Sequence, residues 1–505
     1  MMVEFSFNLA EEPWIPCTDC EGVGRLLSLR DLFSQAHKLR GISPQSPLTE
    51  AAFFRVLLAV VHRAVSGPRD RNEWKELYKR ALFDDRIPKY LEKWRHRFDL
   101  FSPDTPFYQT PGLLVINEKG EPVPQSIASI MLGTASGNNK TLFDHTTADT
   151  PVKLFPSEAA MTLITAQMFS LGGLNKKTTK PFGYQQSFLN AVMVNGILIL
   201  LTGKSLFETL LLNLLVYSDV EPIPSAPEDC PVWERSDVGR TSVTEPKGYL
   251  DFLTCKCRHI LLVPQATGKE IMVEHIHIAQ GEAFPSVPNP GFLSKKNKKG
   301  DWYHPQLDVD RLVWRDSIAL FSFEEGEDRR PKAFRQVANM GDVVELPRRY
   351  VCTSIAFANS KANPLTWRRE SLNVPQSLLS DKDVVAALRK GMSIADNGEK
   401  ALRDAAKKYM QKYLPANSKD VSEKVAASGA VRMYWDLMEG HFHHFLRDLD
   451  DPNKALEIWV TSTKNTVRDS LKTCMGGRYC ESARSYKAWS VADGYLNALL
   501  AKLGE

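Results

Sequence analysis

The sequence predicts an α+β chain: a large mixed α/β N-terminal domain over residues 1–375, followed by a C-terminal four-helix bundle over 376–505. Two patterns carry this reading. Between about residues 190 and 360, β-rich runs at 251–263, 270–278 and 350–357 alternate with Pro-rich loops. After Pro375, Pro, Gly and β-branched runs thin out, and helix-period segments run over 376–391, 396–413, 418–447 and 453–503, the last with a break near Gly476-Gly477. The total of 505 residues exceeds what one hydrophobic core usually spans.

Taken in order, the chain opens with sheet. Apolar and turn-forming residues alternate around Trp14-Ile15-Pro16 and Cys20-Glu21-Gly22 before Leu26-Leu27-Ser28-Leu29, which suits a hairpin. Ser46 is placed to cap a helix with Pro47 at its first position, where the missing N–H costs nothing, and that helix ends near Gly67-Pro68. Further helical patterns cover 74–83 and 89–98, and another runs from Ser157-Glu158 to Leu171-Gly172-Gly173. The apolar stretch 194–216 is interrupted by Gly203, Lys204 and Glu208 before about 18 apolar residues accumulate, so it reads as strand, turn and helix and not as a membrane span. Short links such as Pro415-Ala416-Asn417-Ser418 favour antiparallel helices in the bundle.

Hydrophobic residues at 43% and charged residues at 25% exclude a disordered, collagenous or coiled-coil chain. Sixty-four Lys plus Arg against 60 Asp plus Glu leave a net charge of +4, so any basic face is local. The opening residues lack a signal peptide's basic start, apolar stretch and cleavage site, and eight cysteines are sparse for a disulfide scaffold; a reducing cytoplasm is the expected compartment.

Motifs of catalysis are missing: GxxxxGK[ST], GxGxxG, GxSxG and HExxH do not occur. No catalytic residue, metal or cofactor is therefore assigned. Cys17 and Cys20 have the spacing of half a zinc site, but Cys255 and Cys257 stand too close in sequence for the other half and read as structural thiols. His441, His443 and His444, and the pair His275 and His277, read either as metal ligands or as partly buried polar patches, the second being favoured.

Three loops stand out. Residues 133–145, with Asn138, Asn139, Phe143, Asp144 and His145, are long and polar, and suit either a ligand loop that stacks Phe143 on a base or an ordinary surface excursion. Gly172 and Gly173 end a helix just before Asn175, Lys176, Lys177 and Lys180. There glycine backbone can approach a duplex while lysines neutralise phosphates, or a capping glycine can precede a solvated basic loop. Residues 359–364 follow an apolar strand and precede Trp367-Arg368-Arg369, as a hairpin tip for a groove with arginines on phosphates, or as a plain hairpin.

The string Phe7-Asn8-Leu9-Ala10-Glu11-Glu12-Pro13-Trp14-Ile15-Pro16 resembles the opening of the CasA-type large subunit of the type I-E CRISPR Cascade complex. The resemblance continues through Pro106-Phe107-Tyr108-Gln109-Thr110, Gly172-Gly173, the segment after Gly196, residues 285–290 and Trp367-Arg368-Arg369, and so covers essentially the whole chain. It implies a non-catalytic subunit of an RNA-guided defence complex. Such a subunit recognises the protospacer-adjacent motif in duplex DNA, starts strand separation and helps recruit a helicase-nuclease. The implied partners are crRNA, double-stranded target DNA, the small and backbone Cascade subunits and the helicase-nuclease, with no membrane. Gly172 and Gly173 would match the family's glycine loop; Lys361, Ala362 and Asn363 its wedge hairpin, with Arg368 and Arg369 behind; and Asn138, Asn139, Phe143, Asp144 and His145 its RNA-handle loop. Its lysine finger falls near His275, with His277, Lys269, Lys295, Lys296, Lys298 and Lys299 as alternates. Two departures mark this chain: Ala362 stands where the family's wedge carries glutamine, and no cysteine lies between Cys20 and Cys230 to form the zinc knuckle of some members. Two rivals remain open from the residues: a metal-dependent nuclease or hydrolase using His441, His443 and His444 with Asp448 or Asp450, and a scaffold that never touches DNA.

Overall fold

The computed structural model describes residues 5–133, 151–217, 223, 228–285, 287–323, 328–340, 346–360, 362–415, 418, 420–475 and 482–504. The chain divides into two compact units: Met1–Leu312 with Arg329–Leu346 and Val351–Ser371, and Val313–Asp328 with Pro347–Tyr350 and Leu372–Glu505. The first mixes helices with small antiparallel sheets, and the second is helical, so the α+β class read from the sequence holds.

Local chemistry starts the elements of the first unit. The hairpin Ile15–Asp19 with Gly24–Leu27 forms at the expected place, and Leu39–Ile42 adds a third strand. Helix Pro47–Val65 is capped as its sequence requires: Ser46 Oγ accepts from Leu48 N at 3.2 Å, and Ser66 closes the helix in the left-handed region at φ 58°. Its apolar residues surround the axis instead of forming a stripe, so the helix is buried almost throughout and forms the centre of this unit's core. The segment after Gly196 folds as strand Ile197–Thr202 and helix Leu206–Asn213, as read. Among the described residues no helix is long and apolar enough to cross a membrane.

One expected strand is part helix. The run 251–263 begins inside helix Tyr249–Leu253, and the strand starts only at Arg258. The cause is remote in sequence: the Asp229 carboxylate accepts from Leu250 N at 2.8 Å and Asp251 N at 2.9 Å, which satisfies the first turn's free donors. Strand Arg258–Thr267 pairs with Glu270–Gln280, and Gln125–Ser126 completes that sheet.

In the helical unit the long helices are Lys382–Tyr413, Ala430–Asp448, Pro452–Met475 and Ala483–Ala501. The expected interruption between 391 and 396 is absent, because Gly391 serves close packing and does not stop the helix, and Gly398 does the same farther along. A Cβ on Gly391 would lie 2.7 Å from Phe445 Cζ, and one on Gly398 would lie 2.7 Å from both Thr463 Cγ2 and the Tyr434 hydroxyl. Partners also bond to the backbone of the same helix: Trp459 Nε1 donates to Gly391 O at 2.6 Å and Tyr434 OH to Ala395 O at 2.7 Å. The expected segment 418–447 is instead two helices, Val421–Ala427 and Ala430–Asp448, separated by Gly429 at φ 75°. Trp314 is buried within this unit against Phe442, with centroids 4.6 Å apart, while the Arg315 guanidinium lies 3.7 Å over Trp435.

Gly398→Val therefore destabilises the helical unit by about 1–3 kcal/mol through overpacking. Gly440→Ala, where an added Cβ meets nothing within 4 Å, stabilises by about 0.5–1 kcal/mol. Urea unfolding of the two variants checks the opposite signs.

Candidate nucleic-acid interface

Helix Pro156–Phe169 ends at Ser170, and the chain then extends. Gly172 and Gly173 do not introduce a solvated loop: Gly173–Lys180 is a strand, paired on one side with Gly183–Phe188 and on the other with Leu114–Ile116. Lys176, Lys177 and Lys180 thus stand on a sheet. Gly172 has no room for a side chain, since a Cβ would sit 2.9 Å from Phe188 O, and Gly173 has φ +154°. The returning chain holds this turn: Asn190 Oδ1 accepts from Gly172 N at 2.7 Å, Ala191 N donates to Ser170 O at 2.9 Å, and Gln280 Oε1 accepts from Leu189 N at 2.7 Å.

The strand is irregular where it carries its lysines. Its register shifts between Leu174 and Lys177, and Lys176 takes the left-handed region at φ 46°, unusual for a residue with a Cβ. This bulge leaves Leu174 77% exposed and the Asn175 Nδ2 buried without a hydrogen-bond partner among the described residues. Lys177 is partly buried, and desolvation lowers its ammonium pKa; Lys180 is exposed.

The second hairpin joins strands Arg349–Ser360 and Asn363–Pro375, and Ala362 turns it at φ 66°. Its tip lies against the glycine segment, with the Cβ of Ala362 3.6 Å from where a Cβ on Gly173 would be. Asn363 is exposed, and Lys361 lies outside the described residues. The two arginines expected on phosphates are engaged by their own chain. Arg368 donates to Val309 O at 2.9 Å and Arg311 O at 3.2 Å, and Arg369 Nε donates to Glu50 Oε2 at 2.9 Å. Burial raises the pKa of the Glu50 carboxyl, against the pull of Arg369. These arginines brace the hairpin from behind its tip.

The finger candidates separate by environment. His277 shares a strand with His275 but is covered by the strand Leu114–Ile116, and its Nδ1 accepts from Val115 N at 3.1 Å. It is a structural acceptor, and desolvation lowers its pKa, so the groove-finger reading does not suit it. His275 remains partly exposed, 3.3 Å from Gln265 Nε2 and 3.9 Å from Glu274. Lys269 is exposed at the turn of the long hairpin; Lys295 and Lys296 lie on a two-stranded ribbon, where Lys296 sits 4.9 Å over the Trp302 ring. Asn138, Asn139, Phe143, Asp144 and His145 lie outside the described residues.

Sequence reasoning missed His259. Phe182, in the turn of the glycine-segment hairpin, stacks on its ring at 4.1 Å; its Nε2 lies 3.1 Å from Arg240 O and its Nδ1 2.8 Å from Thr110 Oγ1. Nothing local marks this role, because every partner is distant in sequence. Cys255 and Cys257 are both buried with sulfurs 3.4 Å apart, whereas Cys17 is buried and Cys20 exposed. Among the described residues no three His, Cys, Asp or Glu side chains converge as metal ligands.

These features describe an α+β protein in which two hairpins meet where Gly173 faces Ala362. The profile of the family "CRISPR-associated protein Cse1" matches residues 8–470. A CasA/Cse1 protein from Thermus thermophilus is 28% identical over 99% of this chain and 98% of its own length. The Cse1 crystal structure from Acidimicrobium ferrooxidans superposes with TM-score 0.84 at 23% identity, covering 99% of both chains. A chain described as belonging to a CRISPR RNA-guided surveillance complex gives 0.76 at 19% identity, covering 98% of this chain and 99% of that one. The chain belongs to the CRISPR-associated Cse1 family, the CasA-type large subunits.

Burial depresses the pKa of His259 to about 3 and of His62 to about 4. Both stay neutral in the folded chain while the unfolded chain takes up protons below about pH 6.5. Their contribution is intact above pH 6.5 and is lost progressively as the pH falls toward the folded values. Thermal melting between pH 7.5 and 4.5 should show Tm falling below pH 6.5, less steeply in His259→Gln than in the parent chain.

Proposed function

We propose that this chain is the large, non-catalytic subunit of a cytoplasmic Cascade-type complex that carries crRNA. In this reading it recognises a short motif in duplex DNA beside the guide-matched sequence, begins strand separation there and helps recruit a helicase-nuclease. Membership of the Cse1 family and the fold shared with a chain of a CRISPR RNA-guided surveillance complex support the assembly. The observation that carries the DNA reading is the convergence of Gly172-Gly173 with the hairpin tip at Ala362. Backbone without side chains can lie against a groove, the exposed Lys176 and Lys180 of the adjoining strand can neutralise phosphates, and a braced tip can part the first base step. Small residues at both contacting positions leave the groove floor accessible, and minor-groove readout accepts several related motifs while discriminating through width and the guanine amino group. The partly exposed His275 and Lys269 and the ribbon lysines Lys295 and Lys296 are the remaining finger candidates.

The test is affinity of the RNA-guided complex, with and without this chain, for guide-matched duplexes differing in the three flanking base pairs. Discrimination that requires the chain is expected; equal affinity for every flank would leave a scaffold role. Neutralising Lys176 and Lys177 should weaken binding at all sequences and flatten the salt dependence by about one unit per lost phosphate contact. Substituting Ala362 and Asn363 should impair unwinding of a matched duplex more than nonspecific binding.

A further inference from the structure

Arg258 is 1% exposed, yet no carboxylate lies within ion-pair distance of it among the described residues. Desolvation pushes its guanidinium down to about 10, which leaves it cationic at neutral pH. A buried charge without a carboxylate partner is costly, and beside it only the Cys257 and Cys255 side chains favour the cation, so its hydrogen bonds must offset much of that cost. They go to carbonyls: Nη1 donates to Cys257 O at 2.7 Å, and Nη2 to Leu189 O at 2.6 Å and Leu171 O at 3.0 Å, with Ser170 O at 3.5 Å. The guanidinium also lies 4.7 Å over the Phe188 ring.

The distribution of these acceptors is informative. Ser170 and Leu171 lead into Gly172, whereas Phe188 and Leu189 leave the strand that pairs with Gly173. One planar fork thus ties both ends of the glycine-bearing hairpin to the sheet. The backbone of Arg258 is itself pinned, because its N–H donates to Gln167 Oε1 at 2.9 Å and its carbonyl accepts from Gln167 Nε2 at 2.8 Å. A side chain needed only for packing would be hydrocarbon at this depth. A lysine presents a compact ammonium and cannot span the same set of acceptors.

We propose that Arg258 is a positioning residue for motif recognition: its guanidinium holds Ser170–Leu171 and Leu189 together, so that Gly172 and Gly173 meet duplex DNA already in their binding geometry. This rests on the DNA-reading role proposed above. Ordering the segment before contact removes an entropic cost from binding, and that saving applies to the discriminating contact but not to a target that is already open.

The test uses complexes assembled with the parent chain, Arg258→Lys, Arg258→Gln and a destabilised control, Gln336→Ala. Gln336 is buried and hydrogen-bonded to the backbone of Leu214 and Val216, away from the glycine segment. The readout is the affinity ratio between guide-matched duplexes with a good and a scrambled flank, beside affinity for a pre-opened bubble of the same sequence. Both Arg258 variants should lower the ratio roughly tenfold, the scale of losing hydrogen bonds from a charged donor, with bubble affinity unchanged and the ratio of Gln336→Ala intact. Amide exchange at Gly172 and Leu189 in the free variant chains should accelerate. A parental ratio in a folded variant, equal losses on duplex and bubble, or failure of both variants to fold would each overturn the proposal. A parent complex with no discrimination would instead remove the DNA-reading role and this inference with it.

Discussion

The first unit hangs on the antiparallel pairing of Arg258–Thr267 with Glu270–Gln280. Segments far apart in sequence are bonded to this pair: Thr110 N to Ile260 O at 2.9 Å, Leu262 N to Gln109 Oε1 at 2.8 Å, Val115 N to His277 Nδ1 at 3.1 Å, and Leu154 to Val273 in both directions at 2.9 Å. Gln280 closes the series by bonding to Gln185 and Leu189. Gln109, His277 and Gln280 are buried polar side chains, and each is used as a backbone partner. Because an unsatisfied buried polar group costs about 1–3 kcal/mol, such side chains specify where the connecting segments dock.

Much of the fold was legible where the signal was local. Ser46 and Pro47 mark a helix start through their own chemistry, and Gly203-Lys204 marks a turn because the polar pair interrupts an apolar run. Legibility failed where a distant residue decides. Asp229 turns residues 249–253 into a helix from about twenty positions upstream, and glycine at 391 reads as a stop unless Phe445 is known to fill the space. Glycine is ambiguous because breaking a helix and admitting a neighbour call for the same residue.

The candidate face shows the same division. Gly172-Gly173 and the 359–364 tip were picked out from composition and resemblance, but their meeting at Gly173 and Ala362 is tertiary. Arg368 and Arg369 looked like phosphate ligands because linear sequence does not reveal that Val309, Arg311 and Glu50 occupy them. His277 looked equivalent to His275 because alternation puts both on one strand face, while the covering strand comes from residues 114–116. Nothing in the sequence marks Arg258, since its acceptors at Ser170, Leu171 and Leu189 lie 69–88 positions away.

The two notches of helix Lys382–Tyr413 are seven residues apart, two turns along one face; helix Ala430–Asp448 enters both, through Phe445 and Tyr434, and Thr463 of helix Pro452–Met475 enters the second. A slip of one helical turn, about 5.4 Å, would bring Phe445 to Ala387 or Ala395, where a methyl group takes the place of the notch. The helices are therefore keyed along their axes like a bolt in a slotted plate. Sliding these helices past one another by a turn would therefore have to drive the Phe445 ring into a side chain.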